Sequence, residues 1–126
     1  MALPVTPGRE GLDKLISDMW EAMYANKGVG LAAPQVGEPV RVIVMHAEGL
    51  KQEFINPVII KAYGGKGISR EGCLSFPGKI VPMSRFKRII IEGFDANWKP
   101  VRRKLKGKAA YCAQHEVDHL NGITIV

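Results

Sequence analysis

Cysteine is nearly absent from this chain. Two cysteines in 126 residues, Cys73 and Cys112, sit in different local settings and do not make the disulfide framework that staples small secreted domains. A reducing cytoplasm is the expected compartment. Long apolar runs are missing too, since nothing approaches the roughly 18 consecutive apolar residues of a membrane-spanning helix. Residues 1–9 lack the basic-then-apolar order of a secretory signal. Aromatic residues make up only 7%, and none are interleaved with the basic run of residues 99–108 as a single-strand nucleic-acid binder requires. Acidic residues are outnumbered 12 to 18 by Lys and Arg, leaving a net charge of +6. The surplus is concentrated in residues 99–108, which hold Lys99, Arg102, Arg103, Lys104, Lys106 and Lys108 and no acid. That stretch reads either as an attraction for a polyanion or as a solvated edge strand, whose lysines prevent edge-to-edge pairing. The edge-strand reading is favoured.

What is present is ordinary for a globular domain: 46% apolar and 24% charged residues, in a length that fits one domain over residues 1–126. Leu12, Leu15, Ile16, Met19 and Met23 recur at helical spacing and predict an amphipathic helix over residues 11–26. Glycine and proline punctuate residues 27–37, which read as a loop. Strands are expected over 41–45, 54–60 with an interruption at Pro57, 87–94 as the longest, and 101–105. Turns are expected at 63–67, 76–78 and 95–98. A second helix over 108–120 should stop at Asn121-Gly122. The strands cluster between two helices without βα alternation, so the class is α+β with antiparallel sheets.

The second helix carries the most informative residues, His115-Glu116-Val117-Asp118-His119. Positions four apart lie on one helix face with Cβ atoms about 5–6 Å apart. Two imidazole nitrogens can then meet one ion at roughly 2.0–2.1 Å each. Glu116 stands about 100° around the helix, near enough to act on water at that ion without being a ligand. This is the mechanical content of H-E-x-x-H. A catalytic site usually takes a third protein ligand. The metzincin pattern H-E-x-x-H-x-x-G-x-x-H is followed through Gly122, but Ile125 then replaces its last histidine. The third ligand must come from upstream, from Cys73, Cys112, His46 or an acidic residue. Cys73 lies in a glycine-flanked segment and offers a thiolate suited to zinc or ferrous iron; its bland alternative is an inert buried thiol. Cys112 shares the helix face of His115 and is better placed to line a pocket. Asp118 reads as a salt-bridge or surface carboxylate, and His46 as a surface histidine.

Three segments together resemble the peptide deformylase family. Gly28-Val29-Gly30-Leu31-Ala32-Ala33-Pro34-Gln35 is similar to its G-x-G-x-A-A-x-Q box, Glu71-Gly72-Cys73-Leu74-Ser75 to its E-G-C-L-S box, and residues 114–122 to its Q-H-E-x-D-H-L-x-G helix. They occur in the family's order, and the resemblance covers nearly the whole chain. It implies antiparallel β-sheets packed around a central metal-binding helix. It implies Cys73, His115 and His119 as ligands of one divalent ion, natively Fe(II), with Zn, Ni or Co possible in purified protein. Glu116 would be the general base and acid, and Gln35 with the Leu74 N–H would form the oxyanion hole. Gly28, Val29, Gly30, Gly72, Tyr111 and Cys112 would bind substrate, the first box holding its backbone extended. Asn97 would supply a left-handed residue where relatives have glycine. The reaction implied is hydrolysis of the N-formyl group of formylmethionyl nascent peptides, by a monomer, with weak ribosome association through the basic surface. Ending seven residues after His119, the chain resembles short members carried by bacteriophages, without a further C-terminal helix.

Overall fold

The computed structural model of the chain describes residues 1–73 and 76–123, with side chains described at all of these except 73 and 76–79. Helix α1 (Leu12–Ala25) forms where the five apolar residues of its stripe are all buried. It is followed by β1 (Gly30–Ala32), a 3₁₀ turn (Ala33–Val36), β2 (Val42–Ala47), β3 (Leu50–Cys73), β4 (Phe76–Phe94), β5 (Pro100–Lys106) and α2 (Gly107–Leu120). The five strands make one antiparallel sheet in the order β1-β2-β3-β4-β5.

The two helices cover opposite faces of that sheet. Ile43 and Met45 of β2 pack with Ala109, Ala110, Ala113, Val117 and Leu120 of α2. Their neighbours Val42 and Val44 pack with Leu15, Ile16, Met19 and Met23 of α1. Burial on both faces explains why β2 is a continuous apolar run and does not alternate. Met19 and Met23 are fully buried, so truncating either to Ala should cost about 2–5 kcal/mol. Three alanines on the inner side of α2 let its backbone sit close to the sheet, and this brings the polar residues of the same helix inside.

The strands run past the limits that residue patterns mark. Residues 63–67 are not a turn: β3 pairs with β4 on both sides of them, Tyr63 with Arg88 and Lys66 with Phe86. The extra residues are absorbed by Gly64 and Gly65 at φ 79° and 76°, a bulge in which left-handed backbone costs glycine little. Residues 76–78 likewise belong to β4, and β3, at 24 residues, is longer than β4, at 19. Gly30 to Ala32 of the expected loop is a strand, because it pairs with Ile43 to Met45. In the β4–β5 turn the left-handed residue is Trp98 at φ 59°, not Asn97. Asp95 fixes that turn, its side chain accepting from the N–H groups of Asn97 and Lys99. The C-terminal stop of α2 is as expected: the N–H of Asn121 reaches the Val117 and Asp118 carbonyls, and that of Gly122 reaches His119.

Candidate metal centre

Helix α2 begins against a carboxylate that sequence reading did not single out. Glu48, in the β2–β3 turn, accepts from the Ala109 N–H at 2.9 Å, satisfying one of the donors a helix start leaves unpaired. Two and three turns on, the buried side of the helix carries Gln114, His115, Glu116 and His119, all under 9% exposed. Burying four polar side chains is unfavourable unless each is partnered or used. Gln114 is partnered: its amide bridges the backbone N–H and carbonyl of Phe86 at 2.9 and 2.8 Å, tying α2 to β4.

The histidines are held differently. His115 Nδ1 donates to Glu71 Oε1 at 2.8 Å, so its Nε2 is left as the lone-pair nitrogen. That Nε2 lies 3.1 Å from Nε2 of His119, with the rings inclined at 64°. Two nitrogens bound tetrahedrally at about 2.0–2.1 Å stand roughly 3.3 Å apart, so the pair fits one small cation. Glu116 stands beside them, and the ligand atoms of all three residues lie within 4.8 Å of one another. Its Oε1 is the buried side-chain polar atom that finds no hydrogen-bond partner among the described residues.

Glu71 and Arg85 are the site residues that sequence reasoning missed. Arg85 Nε and Nη2 grip Glu71 at 3.0 and 2.7 Å, and its Nη1 pairs with Asp118. Asp118 is therefore a salt-bridge carboxylate, as its position suggested. The network ties β3, β4 and α2 together behind His115. Glu71 had a weak signal in its place two residues before Cys73. Arg85 had none, because only the β3–β4 register brings it to Glu71.

The electrostatics follow from these contacts. Burial opposes charge on Glu71, but hydrogen bonds from His115 and Arg85 prevail and hold it at about 2. Burial also disfavours the charged form of His115, yet the bond to Glu71 and the nearby Glu116 raise its pKa. His119 is depressed to about 4 by burial and by the facing His115, which favours the neutral, ligating imidazole. Burial outweighs the opposing charge of His115 and raises Glu116 to about 7.

The first box supplies the opposite wall. A Cβ on Gly30 would stand 2.6 Å from Glu116 Oε2 and 2.7 Å from Cys112 Sγ, so only glycine lets β1 approach this closely. Gln35 is oriented by the Ala32 N–H, which donates to its Oε1 at 2.9 Å. Cys112 is buried, its thiol donating to the Val29 carbonyl at 3.4 Å. Burial, then the charges of Glu116 and Glu71, push its pKa well up, so it lines the site as a neutral thiol. Val29 exposes its side chain at the mouth. Gly72 pairs through its backbone with Ile80, beside Glu71. Gly28 closes the end of α1 through its N–H to Met23, and Tyr111 turns its hydroxyl onto Gly67 of β3. His46 is exposed and bonded to the Tyr24 hydroxyl at 2.9 Å. The Cys73 side chain and Leu74 lie outside the described residues.

Known proteins share this fold. The polypeptide deformylase family profile matches residues 2–126. The peptide deformylase of Karelsulcia muelleri is 43% identical over 113 residues, which are 86% of this chain and 60% of that protein. That of Dictyoglomus turgidum is 48% identical over 117 residues, 93% of this chain and 76% of that one. The crystal structure of the deformylase of a Vibrio parahaemolyticus bacteriophage, in complex with actinonin, superposes with a TM-score of 0.93 at 44% identity, covering 99% of this chain and 90% of that one. The chain belongs to the polypeptide deformylase family, metal-dependent hydrolases that take the formyl group off newly made peptides.

Proposed function

We propose that this site hydrolyses the N-formyl group of an N-terminal formylmethionine and releases formate and a free amine. One observation carries the reading: two imidazole Nε2 atoms 3.1 Å apart, beside a buried carboxyl oxygen with no partner among the described residues. His115, His119 and Cys73 would hold one divalent ion. When bound, such an ion supplies Lewis acidity and brings the pKa of water from 15.7 towards 7. Glu116 accepts the proton of the attacking water and returns it to the departing amine. Burial raises its carboxyl to about 7 in the metal-free chain, and a neighbouring divalent ion would draw it back towards the ionised form that accepts a proton.

Gln35, its amide aimed by Ala32, and the Leu74 N–H donate to the formyl oxygen as it gains charge; one such donor typically accounts for about 10²–10³ in rate. The substrate lies extended along Gly28, Val29, Gly30 and Gly72, with Tyr111 and Cys112 shaping the side-chain pocket. The end position of β1 in the strand order supports an extended pose. Ferrous iron is the native metal in this reading, because a thiolate ligand weakens Lewis acidity and iron readily expands its coordination. The enzyme acts as a cytoplasmic monomer with weak ribosome association. Formate release from formyl-Met-Ala-Ser, with metal content measured on the same sample, tests the activity. Glu116→Gln should keep the metal and lose nearly all turnover; activity within tenfold of the parent removes Glu116 from the base role.

A further inference from the structure

The basic stretch of residues 99–108 occupies β5, the edge of the sheet, as the edge-strand reading holds. The register sets cations of the neighbouring strands beside it. Directly opposite residues of an antiparallel pair share a face. Arg88 opposes Lys106, Ile90 opposes Lys104, and Glu92 opposes Arg102 across β4 and β5. Across β3 and β4, Lys61 opposes Ile90 and Tyr63 opposes Arg88. Lys61, Arg88, Arg102, Lys104 and Lys106 therefore stand on one face of three adjacent strands, roughly 10 Å across, and all five are exposed. One of them, Arg88, sits where β4 is paired with both β3 and β5 and has no edge to protect; Lys61 lies beyond the last β2–β3 pair. The acid placed among them, Glu92, is paired with Arg102 at 3.4 Å. Even-numbered residues of β4 carry this patch, and odd-numbered Ile89 and Ile91 face α2, so it lies on the side of the sheet away from the metal-binding helix.

We infer that this sheet face docks on the phosphate backbone of double-helical RNA, leaving the catalytic side open to nascent chains. Charge complementarity selects the partner: four cations without a carboxylate partner among the described residues match a uniformly charged polyanion better than a protein surface of mixed sign. A single-stranded partner would need aromatic platforms. Tyr63, the aromatic ring on this face, already carries Lys61 Nζ 4.9 Å from its centroid. The inference takes from the proposed function only that the substrates are nascent chains, which emerge among RNA helices.

The test measures binding of the whole chain to a short RNA duplex by fluorescence anisotropy between 25 and 200 mM KCl. Four phosphates neutralised correspond to a slope of about −3 to −4 in log K against log salt, from about −0.9 per phosphate. Lys61→Glu with Lys104→Glu should weaken binding at least about tenfold and flatten the slope by about 2. Lys14→Glu with Lys27→Glu, the same charge change on and just after α1, should weaken it less than about threefold. Lys61→Gln with Lys104→Gln, gentler on the fold, should fall between parent and double reversal and decides the matter if the reversal misfolds. Equal losses in the two reversal pairs, binding without salt dependence, or tighter binding to single-stranded RNA, to phosphatidylserine vesicles or to an acidic peptide would each overturn the inference. Formyl-Met-Ala-Ser turnover is read alongside: no turnover in the parent overturns the proposed activity, and the RNA pattern still decides this one.

Discussion

Glu116→Gln should stabilise the metal-free protein, although it abolishes turnover. The parent buries a carboxyl with one oxygen unpartnered among the described residues, which lifts its pKa from the ordinary 4.5 to about 7. Below pH 4.5 the group is protonated in both folded and unfolded chains and contributes nothing. Between 4.5 and 7 the folded chain keeps a proton that the unfolded chain has lost, so stability falls as pH rises. Above 7 the whole penalty is present, about 3 kcal/mol at 1.36 kcal/mol for each pH unit. Glutamine has nearly the same shape and no charge, so it escapes this loss. Urea unfolding of chelator-treated parent and variant at pH 5 and pH 8 isolates the effect. Titration of every other group largely cancels in the comparison, and the gap should widen in favour of the variant by about 2–3 kcal/mol. A gap constant to within about 0.5 kcal/mol would mean that Glu116 is not held in a desolvated site.

Glu71→Gln removes the charge behind His115 and leaves Arg85 facing an amide. Metal affinity by chelator competition should drop about 10–100-fold, and an affinity within twofold of the parent would remove Glu71 from the support of His115. Gly30→Ala places a methyl 2.6 Å from Glu116 Oε2; a destabilisation of about 1–3 kcal/mol by urea titration is expected, with activity falling further as Glu116 is displaced, and a fully active variant would contradict the close approach of β1. Cys73→Ser should weaken metal binding and lower activity together, whereas retained metal with retained activity would mean that the third ligand lies elsewhere. In air, the iron-loaded protein should inactivate faster than the nickel- or zinc-loaded forms, because oxidation passes through the metal to Cys73 along the sulfenic–sulfinic series. Equal rates for the three would count against a thiolate ligand to iron.

Local patterns were legible where one face of one element decided the outcome. The α1 stripe, the i, i+4 histidine pair and the helix stop at Asn121-Gly122 are of this kind, since each is a statement about neighbours within about one helical turn. The long strands were not legible. Residues 63–67 look like a turn because Gly64 and Gly65 occur together, and nothing within the segment reveals that β4 continues its pairing beyond them. Trp98 in a left-handed conformation is similarly invisible. Its φ of 59° is imposed by Asp95, which accepts two backbone N–H groups, and the ring packs against Phe94 at 5.5 Å.

The site divides along the same line. Atoms that could meet a metal are spelled out in α2, but what aims them is not, because Glu71 comes from β3 and Arg85 from β4, 14 residues apart along the hairpin. The division has a physical reason. A helix with four buried polar side chains is unfavourable on its own, and α2 tolerates them through groups that only the sheet register can deliver. Gln114 is satisfied by the Phe86 backbone and His115 by Glu71, with Arg85 holding that carboxylate in its charged form. Glu116, the proposed proton carrier, is the member of the set left with an oxygen unsatisfied among the described residues. The burial that partners its neighbours thus leaves one carboxyl at about 7 in the metal-free chain, an unfavourable burial that weakens that fold and that the charge of a bound cation would relieve.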